Sequence, residues 1–175
     1  MNVALAFCVL LALGDAAAEE PLQNWFNDPF FQISDAIRNC PVPAGPFTSA
    51  ADRRAQSHRR AEKGTTCWLA GECDRPKAYL YDQDIADALR SALRERHPFP
   101  NTTLWVTVQG RVVYVEGCVA GPSEVPRVES FIKSVPYVQQ ASVNLRTRVS
   151  ARPPYRLMTP PSPRQRAKLQ QSHAD

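Results

Sequence analysis

An α+β fold is predicted by three features of the sequence: a pair of short alternating strands around 104–119, an amphipathic helical pattern on each side of it, and one more alternating segment beyond. The expected order is α-β-β-α-β, with two helices covering one face of a three-stranded sheet. A mostly helical, disulfide-stapled extension precedes this unit, and a disordered basic tail follows it. The 175 residues divide accordingly into 1–18, 19–80, 81–149 and 150–175.

Residues 1–18 read as an export address. Residues 4–13 form an apolar run, too short to cross a bilayer as a helix. Ala16-Ala17-Ala18 then supplies a small-residue cleavage site before Glu19. No Lys or Arg precedes the run, which leaves the terminal amine as its positive end. Cys8 lies inside the run rather than after it, which argues against a lipid-anchored cysteine. Removal of this segment leaves Cys40, Cys67, Cys73 and Cys118. An even count behind an export signal favours disulfides, and four cysteines allow three pairings.

The extension opens with large apolar groups, among them Trp25, Phe26, Phe30 and Phe31. Asp28 before Pro29 has the form of a helix start. Phe30, Ile33, Ile37 and Cys40 fall on one helical face, and Pro41 and Pro43 end the pattern. This helix is expected to dock on the rest of the protein. A second helix over 48–64, capped by Thr48 or Ser49 and stopped by Gly64, is strongly charged and mostly solvated. Its Arg53-Arg54 and Arg59-Arg60 pairs suit phosphate or an acidic partner, although an exposed charged face is the commoner meaning. Five residues separate Cys67 from Cys73, which fits neither a redox pair nor a zinc knuckle. A local staple from Cys67 to Cys73 is the default, carrying Trp68 in its loop. A mixed metal site of His58 with Cys40, Cys67 and Cys73 is the weaker alternative, so no cofactor is expected.

In the body, Ile85, Ala88, Leu89, Ala92 and Leu93 give helical spacing over 83–96, with Asp82 as cap and Pro98 and Pro100 as stop. The strand pair, joined at Gln109-Gly110, sets Leu104, Val106, Val108, Val113 and Val115 toward a core. Gly121-Pro122-Ser123 starts a second helix with Val125, Val128, Phe131, Ile132 and Val135 inward. Alternation then returns over 138–149 through Ala141, Val143 and Leu145. The formal charge of +4 resides in the tail, whose five basic groups face one acid, so the body is nearly neutral. The tail cannot bury enough apolar surface to fold.

These elements resemble the BON domain, a small module of bacterial envelope proteins, over about 81–149. The resemblance is carried by Ile85 and Leu89, then by the run Gly110-Arg111-Val112-Val113-Tyr114-Val115-Glu116-Gly117-Cys118-Val119. It ends on Val135-Pro136-Tyr137-Val138 running into Ser142-Val143-Asn144-Leu145. Pro136-Tyr137 replaces the family's small Gly-containing turn, and Cys118 stands where a small polar residue is common. A single copy is present, where the family often pairs two. The resemblance implies an exported, non-catalytic periplasmic module at phospholipid surfaces, concerned with envelope integrity or stress. The alternative it implies is a structural, assembly or docking module of an envelope or secretion complex.

With the helices on one face, Trp105, Thr107, Tyr114, Glu116, Cys118, Asn144 and Arg146 are left on the other. Two aromatics and a cysteine are poorly suited to water. Packing of the extension across this face, with Cys40 bonded to Cys118 and Cys67 to Cys73, is favoured. The alternative is a partner face centred on Trp105, Tyr114 and Arg146. No phosphate loop, serine elbow or paired metal motif is present, so an enzyme is not expected. The expected partners are an anionic phospholipid surface or an envelope protein, with no nucleic acid and no transmembrane segment in the mature chain. Arg152, Arg156, Arg164, Arg166 and Lys168 are the candidate lipid contacts, each contributing on the order of 1 kcal/mol close to an anionic surface.

Overall fold

The computed structural model describes residues 22–148 and 150–158. The proposed export signal and the candidate contacts Arg164, Arg166 and Lys168 lie outside the described residues.

The body follows the predicted order: α3 (Asp82–Arg96), β2 (Thr102–Gln109), β3 (Val112–Val119), α4 (Glu124–Lys133) and β4 (Gln140–Arg146). β2 and β3 pair antiparallel, and β3 and β4 pair parallel. A parallel pair needs a crossover, and α4 is that crossover. α3 ends on His97 in the left-handed region (φ 44°), immediately before Pro98. Ile85 and Leu89 of α3 and Val128 and Ile132 of α4 cover Leu104, Val106, Val108, Val113 and Val115, all fully buried. Phe99 and Phe131 close one end of this layer edge to face, 5.2 Å apart. The sheet faces therefore divide as the alternation predicts.

The sheet has four strands rather than three, in the order β1-β2-β3-β4. The added edge is β1 (Phe30–Asp35), where a helix was expected. β1 runs antiparallel to β2 with Phe30 opposite Thr107 and Phe31 opposite Val106. The register slips between Gln32 and Ser34, and this bulge interrupts the simple alternation. The interruption is why Phe30, Ile33 and Ile37 mimic helical spacing. Aromatic and β-branched residues beside the unpaired groups of β2 favour the strand. Flanking bonds extend the pairing, Val108 N donating to Pro29 O (3.0 Å) and Ala36 N to Thr102 O (2.9 Å).

The rest of the extension is only partly helical. α1 (Ala50–Glu62) begins on the expected Ser49, whose side chain accepts from Asp52 N while the Asp52 carboxylate accepts from Ser49 N. α1 buries none of its residues. A short helix α2 (Thr65–Leu69) and a 3-10 turn over Ala78–Tyr81 lead into the body.

Two local details depart from expectation, the hairpin turn and the role of Asp82. The hairpin turn is Gly110-Arg111, both at positive φ (58° and 65°), rather than Gln109-Gly110. Asp82 does not cap α3; its carboxylate accepts from Gly110 N (2.6 Å) and Arg111 N (2.8 Å) and ties the helix to the hairpin. Tyr137 takes a left-handed turn (φ 66°) ahead of β4, its ring 5.3 Å from Tyr81 and its carbonyl accepting from Arg111 Nε at 3.0 Å. In β3, Gly117 has φ 143°, and a Cβ there would run into the Thr103 carbonyl across the ladder.

Candidate functional site

The sheet face opposite α3 and α4 is covered by the chain itself. Cys40 is bonded to Cys118 and Cys67 to Cys73. The first bridge pins the segment after β1 onto β3. Residues 42–44 continue across and meet residues 156–158, with Ala44 N donating to Arg156 O (2.8 Å) and Met158 N to Val42 O (3.0 Å). The start of the tail is thus a strap rather than a disordered end. Tyr155 beneath it donates its hydroxyl to Pro41 O at 2.9 Å, and Arg156 Nη2 donates to Phe47 O at 2.6 Å.

This covering changes the standing of the predicted contact residues. Trp105 is 8% exposed and Arg146 9%, and Arg146 donates to Asn39 O at 3.4 Å. Neither is offered to a partner; Tyr114 alone of the three opens toward solvent, into the cleft described below. Arg152 and Arg156 are both exposed, Arg156 being held at the same time by its bond to Phe47 O. Burial pushes the Glu116 carboxyl up, with the Arg156 guanidinium opposing. Burial also raises the Tyr155 hydroxyl, Arg146 opposing and Glu116 adding to the rise.

Beyond the strap, the last turn of α1 faces the hairpin end of the sheet across a cleft of about 590 Å³. Arg59, Lys63, Tyr79, Gln109, Tyr114 and Gln140 line it. Arg60 faces inward: its guanidinium grips the buried Asp28 carboxylate through both nitrogens and lies 3.9 Å over the Phe26 ring. The half-buried Lys63 ammonium makes no ion pair among the described residues. Burial lowers its pKa; Asp82 opposes this, and the Arg59 and Arg111 charges add to it. Burial raises the Asp82 carboxyl in turn, with the two hairpin N–H groups holding it down.

Beside the cleft, the staple presents Trp68 and Leu69 to solvent, 44% and 78% exposed. Sequence reasoning located Trp68 in its loop and the arginine pairs on α1, but not the cleft. The i, i+4 spacing of Arg59 and Lys63 was the available signal. All four cysteines are consumed in disulfides, so the mixed site with His58 does not form. No helix among the described residues is long and apolar enough to cross a membrane.

Residues 81–148 match the family model of the BON domain. The module built from α3 to β4 is thus a BON domain, with the extension and strap lying outside it. Comparison with curated proteins and with solved structures returned no match.

Proposed function

We propose that this is an exported, non-catalytic envelope protein that binds peripherally to anionic phospholipid surfaces and contributes to envelope integrity or stress tolerance. The BON domain over 81–148 carries the reading. Two disulfides, one of them joining the extension to the domain, suit an oxidising compartment such as the periplasm. Cations supply the attraction: the exposed Arg59 and the half-buried Lys63 at the cleft, and the exposed Arg152 on the strap. Such contacts are weakened by salt.

The test is flotation of the mature chain on anionic and on neutral vesicles across a salt series. Binding to anionic vesicles that falls with salt supports the reading; absence of binding at any salt overturns it. The outer edge of β4, which has no strand partner among the described residues, favours a second reading as an assembly module. That reading requires a defined oligomer or a stable protein complex in solution, and a monomer with salt-sensitive lipid binding excludes it.

A further inference from the structure

We propose that Cys67–Cys73 is a site of thiol–disulfide exchange rather than a permanent staple: an external thiolate attacks Cys67 Sγ, and Cys73 leaves as a thiolate held by Arg111. This modification site goes beyond the phospholipid reading and does not rest on it.

One contact sets the two sulfurs apart: Arg111 Nη1 donates to Cys73 Sγ at 3.3 Å. The guanidinium is fixed in place, because its Nε donates to Tyr137 O at 3.0 Å and it lies 4.6 Å over the Tyr81 ring. Arg111 N is itself bound to the Asp82 carboxylate at 2.8 Å. A cation against a sulfur favours its thiolate, and the sulfur with the more stable thiolate leaves faster in exchange. Glu72 and Asp74 on either side of Cys73 oppose this. Both are exposed and act through water, whereas Arg111 is half-buried and in contact.

Access separates the two bridges as well. Residues 68–72 between the cysteines are all exposed, and α2 buries none of its residues, so this bond opens with the core intact. Ala78 N donates to Lys63 O at 2.8 Å and holds the ends of the segment together whether or not the bridge is closed. Cys118, by contrast, is 2% exposed, and the Thr103 carbonyl and Tyr155 hydroxyl lie against the sulfurs of its bridge. In the exchange, the attacking thiolate forms a disulfide with Cys67 Sγ, the Cys67–Cys73 bond breaks, and its electron pair departs on Cys73 Sγ. A monothiol stops at this mixed disulfide. A dithiol goes on: its second thiolate attacks its own sulfur in the mixed disulfide, and Cys67 leaves as a thiolate. The dithiol ends as a disulfide, and the chain has taken up its two electrons and two protons.

The experiment exposes the oxidised full mature chain to reduced glutathione, traps free thiols with iodoacetamide and assigns each cysteine by fragmentation mass spectrometry. Glutathione is expected on Cys67 with Cys73 alkylated, about threefold or more in excess of the reverse isomer, while Cys40–Cys118 stays closed. Arg111→Gln is expected to slow the exchange about threefold or more and to erase the preference, and Arg111→Lys to keep part of both. Thermal unfolding like that of the wild type shows that each variant is folded. Wild-type chain in urea supplies a test that needs no variant: Glu72 and Asp74 still flank Cys73 there, the Arg111 contact is gone, and the preference for Cys67 is expected to disappear. Glutathione mainly on Cys73, a preference that survives in Arg111→Gln or in urea, or exchange of Cys40–Cys118 at the same rate overturns the proposal and leaves the phospholipid reading standing.

Discussion

The two disulfides close loops of very different length, and this predicts unequal contributions to stability. Cys40 and Cys118 are separated by 78 positions, Cys67 and Cys73 by 6. Loop-closure entropy of the unfolded chain then gives about 4.5 kcal/mol for the long bridge and about 2.2 kcal/mol for the short one. Burial widens the gap, because Cys118 is only 2% exposed and removing its sulfur leaves a void under the strap. Cys40→Ala with Cys118→Ala is thus expected to cost at least about 2 kcal/mol more than Cys67→Ala with Cys73→Ala. Urea unfolding of each double variant, followed by circular dichroism and tryptophan fluorescence, measures both losses. Amide exchange adds a spatial readout: the long bridge protects β1 and the strap, the short one protects α2 alone. An equal loss in the two variants, or a larger one for the short loop, refutes the entropic reasoning and the clamping of the extension with it.

Three further outcomes follow from individual residues. Asp82→Ala leaves the N–H groups of Gly110 and Arg111 without their acceptors and is expected to cost about 2–4 kcal/mol, with faster exchange at Gly110; a loss under about 0.5 kcal/mol removes the tether from the account. Gly117→Ala forces a Cβ toward the Thr103 carbonyl at φ 143° and is expected to cost at least about 2 kcal/mol, read as a lower urea midpoint; an unchanged midpoint contradicts the close approach. Burial raises the folded pKa of Glu116 above its ordinary value of 4.5, so the native state holds this proton longer than the unfolded chain. Its contribution to stability therefore declines as pH rises through the window above 4.5. Stability curves of Glu116→Gln and wild type should shift in favour of the variant across that window, and parallel curves contradict the assignment.

The parts of this fold legible in the sequence are those where one periodicity acts alone. Val106, Val108, Val113 and Val115 alternate without interruption, and their burial under α3 and α4 follows. The second face was legible as a deficit: Trp105 and Cys118 needed a cover that the extension provides. β1 was not legible, because its bulge breaks the period of two and its partner β2 is remote in sequence. The strap was hidden for a related reason. Pro153, Pro154 and Arg156 have the composition of a solvated tail, yet the Tyr155 hydroxyl bond to Pro41 and the backbone bonds to Val42 and Ala44 anchor them. The cleft depends on where α1 lies relative to the hairpin, and no local pattern encodes that placement.

The position of β1 at the edge of the sheet also bears on the sequence of events in folding. This strand precedes everything it pairs with, and Cys40 just behind it meets a partner 78 positions later. In a chain that emerges N-terminus first, Phe30–Asp35 has no ladder to join until Thr102–Gln109 has followed. Contacts of such long range are late and slow. The aromatic stretch ahead of α1 must therefore wait unpaired, and oxidation of Cys40 with Cys118 marks the moment at which that wait ends.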